Sequence, residues 1–233
     1  MSDNKTFVVI GGSTGIGQEI AQKLSVENNV IATYNSTVME STGNITYFHY
    51  DVTQLDSSLD WLPDEIHGIV YCVGAIQLKP FHRVKLDDFN SDFQKQTLGA
   101  IRVLQNAMPA LKSCGSASVI LFSTVAVQMG FPFHSIVSTS KGSIEGLTKA
   151  LAAEWAPSIR VNAIAPSITL TPLAANLLNT PEKIEANAQR HPLKRIGNST
   201  DIAELAAFLL SDKAAWITGQ IHHIDGGISS LKV

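Results

Sequence analysis

The residues of this 233-residue chain that could do chemistry fall in two places. The first is "VVIGGSTGIG", where Gly11, Gly15 and Gly17 follow an apolar run and open an amphipathic one. Glycine lets the backbone turn sharply and come close to a ligand. A helix starting there presents free N–H groups and the positive end of its dipole, a setting for a pyrophosphate. Strand-to-helix turns favour glycine anyway, so the three glycines also fit a plain connection. The second place is "GFPFHSIVSTSKG", residues 130–142. Lys141 is a cation early in a helix, away from the C-terminal turn that would favour it. Histidine as a type can carry protons, so His134 reads as a proton carrier or as a packed wall residue among Phe131, Pro132 and Phe133. Lys141 also reads as a solvated surface cation.

The elements that position these residues alternate. Strands are expected at Thr6–Gly12, Asn29–Tyr34, Ile45–Tyr50, Gly68–Gly74, Ala117–Ser123, Ile159–Ala165 and Gln220–Asp225. Helical patterns lie over Thr14–Glu27, where Ile16, Ile20 and Leu24 stand four apart, and over Leu86–Lys112, Ser138–Trp155 and Asp201–Leu210. Near-continuous apolar strands alternating with helices imply an α/β fold, a doubly wound parallel sheet covered on both faces. The length suits one domain over residues 1–233, and no repeat, low-complexity tract or linker divides it. Ser36–Asn44 is short for a crossover helix. Ile168–Gly197, punctuated by Pro172, Pro181 and Pro192, is the least regular stretch and is expected to be a mobile substrate lid.

The glycine spacing is G-x-x-x-G-x-G. With "HYDVT" (Asp51-Val52), "RVNAIAPSITLTPL" (Arg160–Leu173) and the helix–strand–D-G-G run Ser199–Gly227, it resembles the short-chain dehydrogenase/reductase family over almost the whole chain. The resemblance implies a Rossmann-like domain of about seven parallel strands, with NAD(P) across their carboxyl ends. It implies that Gly11, Ser13, Thr14, Gly15, Ile16 and Gly17 cradle the pyrophosphate and that Asp51, beside Val52, accepts from the adenine amino group. Gly74, the survivor of the family's N-N-A-G in "YCVG", would let backbone pass the adenosine ribose. Lys141 would bind the nicotinamide ribose, and Pro166, Ile168 and Thr171 would hold the carboxamide, with Ser167 where the family has glycine. Tyr34, Asn35 and Ser36 end the second strand without the carboxylate that would repel a 2'-phosphate. Their hydroxyls and amide can hydrogen-bond a phosphate, which favours NADP over NAD, although no Arg or Lys accompanies them and they also read as plain loop residues.

The family's working set is Asn, Ser, Tyr and Lys, with the tyrosine four residues before the lysine. Lys141 matches, but Val137 stands at the tyrosine and offers neither proton nor lone pair. Thr124 falls at the serine, directly after Ser123; either hydroxyl can donate to a substrate oxygen, or both are ordinary strand-end hydroxyls. Gln96 falls at the asparagine, or is a solvent-facing helix glutamine. Tyr71 lies in an expected buried strand and is not promoted to acid. The seven-residue interval from His134 to Lys141 is similar to that of the family's enoyl-reductase branch. The expected function is NAD(P)-dependent hydride transfer to or from a small apolar carbonyl, alcohol or enone, with a non-standard proton donor. Lys141, Thr124, Ser123, His134 and Gln96 form the catalytic set, and Met129–Phe133 form an apolar wall. The alternative is an NAD(P)-binding pseudoenzyme acting as a sensor or interaction protein.

The bulk numbers bound the rest. A formal charge of -3 argues against nucleic-acid and anionic-membrane binding. No apolar run approaches a membrane span, "MSDNKT" lacks the build of a signal peptide, and two cysteines suit a reduced, cytoplasmic protein. Cys72 and Cys114 lack metal spacing, and His49, His67, His82, His191, His222 and His223 are scattered, so no metal is expected. Leu86–Lys112 and Ser138–Trp155 are apolar on more than one face, which calls for a homodimer or homotetramer.

Overall fold

The computed structural model describes residues 4–232. Its strands are β1 (Thr6–Ile10), β2 (Asn29–Tyr34), β3 (Ile45–His49), β4 (Gly68–Tyr71), β5 (Ala117–Phe122), β6 (Ile159–Pro166), β7 (Thr169–Leu170), β8 (Gly197–Asn198) and β9 (Ile221–Ile224). The α-helices are α1 (Gly15–Leu24), α2 (Leu86–Phe93), α3 (Gly99–Ser113), α4 (Ala126–Met129), α5 (Ser135–Trp155), α6 (Pro181–Gln189) and α7 (Ser199–Leu210). Seven strands form one parallel sheet in the order β3-β2-β1-β4-β5-β6-β9. All seven strand expectations correspond to strands of this sheet.

Both faces are covered, which is why the strands read as unbroken apolar runs. Every residue of β4 and β5 is buried. Successive side chains of a strand point to opposite faces. In β1, Val8 and Ile10 join a core with Leu104, Leu111, Ile144 and Trp155, from α3 and α5. Phe7 and Val9 join the other, with Ile20, Leu24, Ile202 and Leu209, from α1 and α7. The strand order reverses between β1 and β4, so the connections after these strands diverge and leave a crevice at their carboxyl ends.

Two stretches differ from expectation. The helical pattern over Leu86–Lys112 is interrupted by a π-helical turn, Gln94–Leu98, between α2 and α3. The wider turn buries Gln96 and Thr97, and the Thr97 hydroxyl bonds the Ser140 carbonyl at 3.2 Å and the Ser143 hydroxyl at 2.9 Å on α5. Ile168–Gly197 is more regular than its prolines suggest. It carries β7, a 3-10 helix Pro172–Leu177, α6 and β8, around a small core of Ala174, Leu178, Ala188 and Ile196. Pro172 and Pro181 open helices capped by Thr171 and Thr180, where a missing N–H has no cost. The link from β2 to β3 contains no helix.

The crevice is shaped by backbone held at very short range. A Cβ on Gly17 would lie 2.1 Å from the Gly11 carbonyl oxygen and 3.1 Å from Cys72 Cβ. Gly11 itself has φ +79°. Gly17→Ala is therefore expected to lower the urea unfolding free energy by about 2–3 kcal/mol, the scale of overpacking a closed site. Unfolding midpoints at unchanged slope measure this.

Candidate active site

The glycine loop leads into α1 with its first N–H groups uncommitted. Thr14, the N-cap, is exposed and makes no side-chain cap, and no acidic residue lies in the first turn. Gly11 N–H donates to Thr33 Oγ1 at 2.9 Å and Gly12 N–H to the Thr33 carbonyl at 2.9 Å, so the loop is tied to β2. Ser13 is buried under the turn. The N–H groups of Gly15, Ile16 and Gly17 thus open the helix where an anion is favoured. A glycine cradle that any Cβ would fill, at a helix end with no acidic competitor, fits a dinucleotide pyrophosphate.

Beside the loop, Asp51 sits at the mouth with Val52 buried next to it. The N–H and Oγ1 of Thr53 both donate to Asp51 Oδ1, at 2.8 and 2.7 Å, and these bonds lower the carboxyl pKa and leave Oδ2 available. Arg102 fixes this corner through the Tyr50 hydroxyl and the Val52 carbonyl. Tyr34 ends β2 packed edge-on against His49, and Asn35 and Ser36 beyond it are exposed. Across the loop, Cys72, Val73 and Gly74 run along the glycines: Cβ atoms built on Gly11 and Gly17 meet Val73 and Cys72.

Lys141 closes the crevice from α5 and is only 7% exposed. Burial pushes its pKa down to about 8, opposed by the negative charge of Asp92. Gln96 and Asp92, four residues apart across the π turn, are also buried, and Gln96 Nε2 donates to Asp92 Oδ2 at 2.7 Å. Gln96 Oε1 is buried without a hydrogen-bond partner and would stand 3.7 Å from a Cβ on Gly74. Gln96 thus lies at the crevice rather than at the surface, and Lys141 is not a solvated cation. Val137, one turn before Lys141, is buried hydrocarbon.

The hydroxyls differ in availability. Ser123 is buried and donates to Glu145 Oε1 at 2.6 Å, while Gln128 Nε2 donates to Oε2 at 2.9 Å. Thr124 is half-buried, and its Oγ1 accepts from the Ala126 N–H at 3.3 Å, which leaves its proton to donate. His134 caps the start of α5, with Nδ1 2.8 Å from the Pro132 carbonyl and its ring packed on Phe131. Sequence reasoning missed Asp92 and Glu145. Each is an acid one helical turn from a recognised position, Gln96 and Lys141, and that spacing was the available signal.

The stretch after β6 forms the opposite wall. Pro166 ends β6, Ile168 follows, and Thr171 lies across the crevice from the glycine loop: a Cβ on Gly15 would be 3.4 Å from Thr171 Cβ. Leu173 approaches Gly74 in the same way. Ser167 Oγ lies 2.8 Å from His191 Nε2, and His191 Nδ1 donates to the Asn187 carbonyl at 2.7 Å. The Arg190 guanidinium sits 5.3 Å over the Phe131 ring, joining the end of α6 to the apolar Met129–Phe133 wall.

Among the described residues, Glu65, His67 and Cys114 alone bring three potential metal-ligand atoms together. The Thr6 N–H donates to His67 Nδ1 at 3.1 Å, so the neutral ring carries its proton on Nε2, the atom that would have to ligate. Among the described residues no helix is long and apolar enough to cross a membrane.

Comparison with known proteins gives consistent relatives. The family model described as enoyl-(acyl carrier protein) reductase matches residues 11–229. A tropinone reductase homologue of Arabidopsis thaliana is 30% identical over 95% of this chain and 92% of its own length. One of Datura stramonium is 29% identical over 95% and 91%. Among solved structures, the ligand-free aldohexose dehydrogenase of Thermoplasma acidophilum superposes with a TM-score of 0.89, at 28% identity over 99% of this chain and 97% of its own.

The depressed proton affinity of Lys141 has a consequence for stability. Between about pH 8 and the ordinary lysine value of 10.5, the folded state binds fewer protons than the unfolded state, so stability rises with pH across that window. Below it the buried ammonium costs on the order of 3 kcal/mol. Lys141→Met, which approximates the neutral amine, is expected to be more stable than wild type at pH 7. Urea unfolding should show that advantage shrinking towards pH 10.5.

Proposed function

The chain belongs to the short-chain dehydrogenase/reductase family of oxidoreductases, and we propose that it is an NAD(P)-dependent enzyme whose proton donor is not tyrosine. Its substrate is a small apolar carbonyl, alcohol or enone. The observation that carries this reading is the uncapped α1 N-terminus over the Gly11–Gly17 contact, with Lys141 buried on α5 near Cys72, which borders that loop. A buried ammonium is costly to keep without a partner, and a nucleotide at this crevice would supply one.

In this reading the α1 N–H groups and the loop from Gly11 to Gly17 hold the pyrophosphate, and Asp51 Oδ2 accepts from the adenine. Tyr34, Asn35 and Ser36 meet the adenosine ribose; a rim with hydroxyls and an amide and no carboxylate suits NADP better than NAD. Lys141 binds the nicotinamide ribose, and Ile168 and Thr171 orient the carboxamide. The bound nucleotide supplies a hydride. Thr124 donates to the substrate oxygen, since Ser123 is committed to Glu145. Met129 and Phe133, 37% and 56% exposed, present apolar surface to the substrate. The lid, residues 168–197, closes this wall through Arg190 on Phe131 and excludes water.

The relatives' names point to reductases and dehydrogenases of small molecules, which fits this substrate class. Two free thiols suit a reducing compartment. Phe89, Phe93 and Leu98 line a hollow of about 370 Å³ on the α2–α5 surface, and Leu98 is 38% exposed; this apolar face supports a homodimer or homotetramer.

Fluorescence titration with reduced nucleotides should give a dissociation constant between about 1 μM and 1 mM, tighter for NADPH. Cofactor oxidation across a carbonyl and enone panel should reveal turnover. Thr124→Ala should lower kcat about 100-fold with nucleotide affinity retained. Val137→Tyr should raise ketone reduction at least about tenfold. Binding with no turnover on any substrate would favour a sensor over an enzyme, and no binding would end the proposal.

A further inference from the structure

Four observations converge on the space beside Val137. Lys141 lies one turn along α5 from Val137, and both are buried. Among the described residues, no side chain or carbonyl hydrogen-bonds Lys141 Nζ. Asp92, also buried, faces it from α2 closely enough for their charges to interact. Gln96, whose amide nitrogen is committed to Asp92, keeps an unpartnered buried oxygen at the same crevice. A buried acceptor without a donor costs about 1–3 kcal/mol, so this oxygen calls for a donor such as a water or the ammonium.

Resting on the oxidoreductase reading above, we propose that Lys141 itself is the proton donor of the reaction, with Asp92 as the positioning residue that keeps it charged. Hydride reaches the carbonyl carbon, the π pair moves to oxygen, and a proton from Lys141 Nζ completes the alcohol, directly or through one water. Lysine is left a neutral amine and recovers its proton from solvent. In the oxidation direction each transfer reverses.

The surroundings support each part. Desolvation beside Val137 lowers the proton affinity of Lys141 to near the working pH, where a donor is most effective. The Asp92 carboxylate limits that loss, so the amine stays protonated at neutrality. The other titratable groups near Lys141 do not compete. Cys72 is held as a neutral thiol by burial, and Glu145, one turn further along α5, is engaged by Ser123 and Gln128. His134 stands outside the first turn of α5, with Nδ1 bonded to the Pro132 carbonyl.

The test has a structural arm and a kinetic arm. In the nucleotide-free protein labelled with 13C-lysine, one side chain that vanishes in Lys141→Arg should titrate near pH 8. Asp92→Asn, which can still accept from Gln96, should lower that midpoint by about one pH; Asp92→Glu should restore it. In turnover, the alkaline limb of kcat for reduction should share this midpoint and move with it in Asp92→Asn. Lys141→Arg keeps the charge but does not release a proton; it should bind nucleotide within about threefold of wild type while kcat falls at least about 100-fold. The proposal is overturned if Lys141→Arg reduces substrate at near wild-type rate, if the limb is indifferent to Asp92→Asn, or if His134→Ala abolishes it. A wild-type protein that reduces nothing overturns the oxidoreductase reading, and this assignment with it. A Lys141 that stays charged to pH 10 overturns this assignment alone.

Discussion

The contact between Gly11 and Gly17 sets the geometry on which the rest of the site depends. Pressing the start of α1 onto the end of β1 leaves no room for a single methyl group, since a Cβ on Gly17 would overlap the Gly11 carbonyl. That closeness turns the uncommitted N–H groups of the first turn towards the crevice where the strand order reverses. It also brings Cys72 and Val73 against the loop, which in turn places Gly74 between Gln96 and Leu173. One backbone approach therefore positions the α1 terminus, the Cys72–Gly74 edge and the Leu173 side of the crevice together.

At the other end, opposing electrostatic terms act on Lys141. Taking an ammonium out of water is costly, and Val137, one turn away on α5, is buried hydrocarbon. Asp92 works against that cost through its charge, while its Oδ2 accepts from Gln96 at 2.7 Å. The resulting amine is poised rather than locked. A hydrogen-bonded ion pair in the same place would have raised the proton affinity and removed any use for it near neutrality.

The fold could be read almost completely from the chain, because burial on both faces leaves strands as unbroken apolar runs bounded by polar turns. The two-residue strands β7 and β8 were not readable, since two residues carry no period. The π turn at Gln94–Leu98 was hidden because the apolar pattern of α2 and α3 continues through it. The glycine loop, Asp51 and Lys141 were singled out by spacing and family likeness together, and the fold places them around one crevice. Asp92 was passed over: its four-residue spacing from Gln96 was a signal, but an aspartate in "FNSDFQKQ" also reads as a solvated helix residue, and only the fold shows it buried. The commitment of Ser123 to Glu145 was equally invisible, because it joins residues 22 apart through the fold.

The stretch after β6 shows how a polar side chain beside the crevice is accommodated. Ser167 stands where the family likeness would place a glycine, and its side chain needs both space and a partner. His191 supplies the partner, accepting the Ser167 proton on Nε2 while its Nδ1–H is anchored to the Asn187 carbonyl. The ring is buried, so both of its nitrogens are satisfied and neither needs water. The bond joins the residue beside Ile168 to the end of α6, whose next residue, Arg190, covers Phe131. The segment expected to hold the nicotinamide and the wall expected to hold the substrate are thereby mechanically linked.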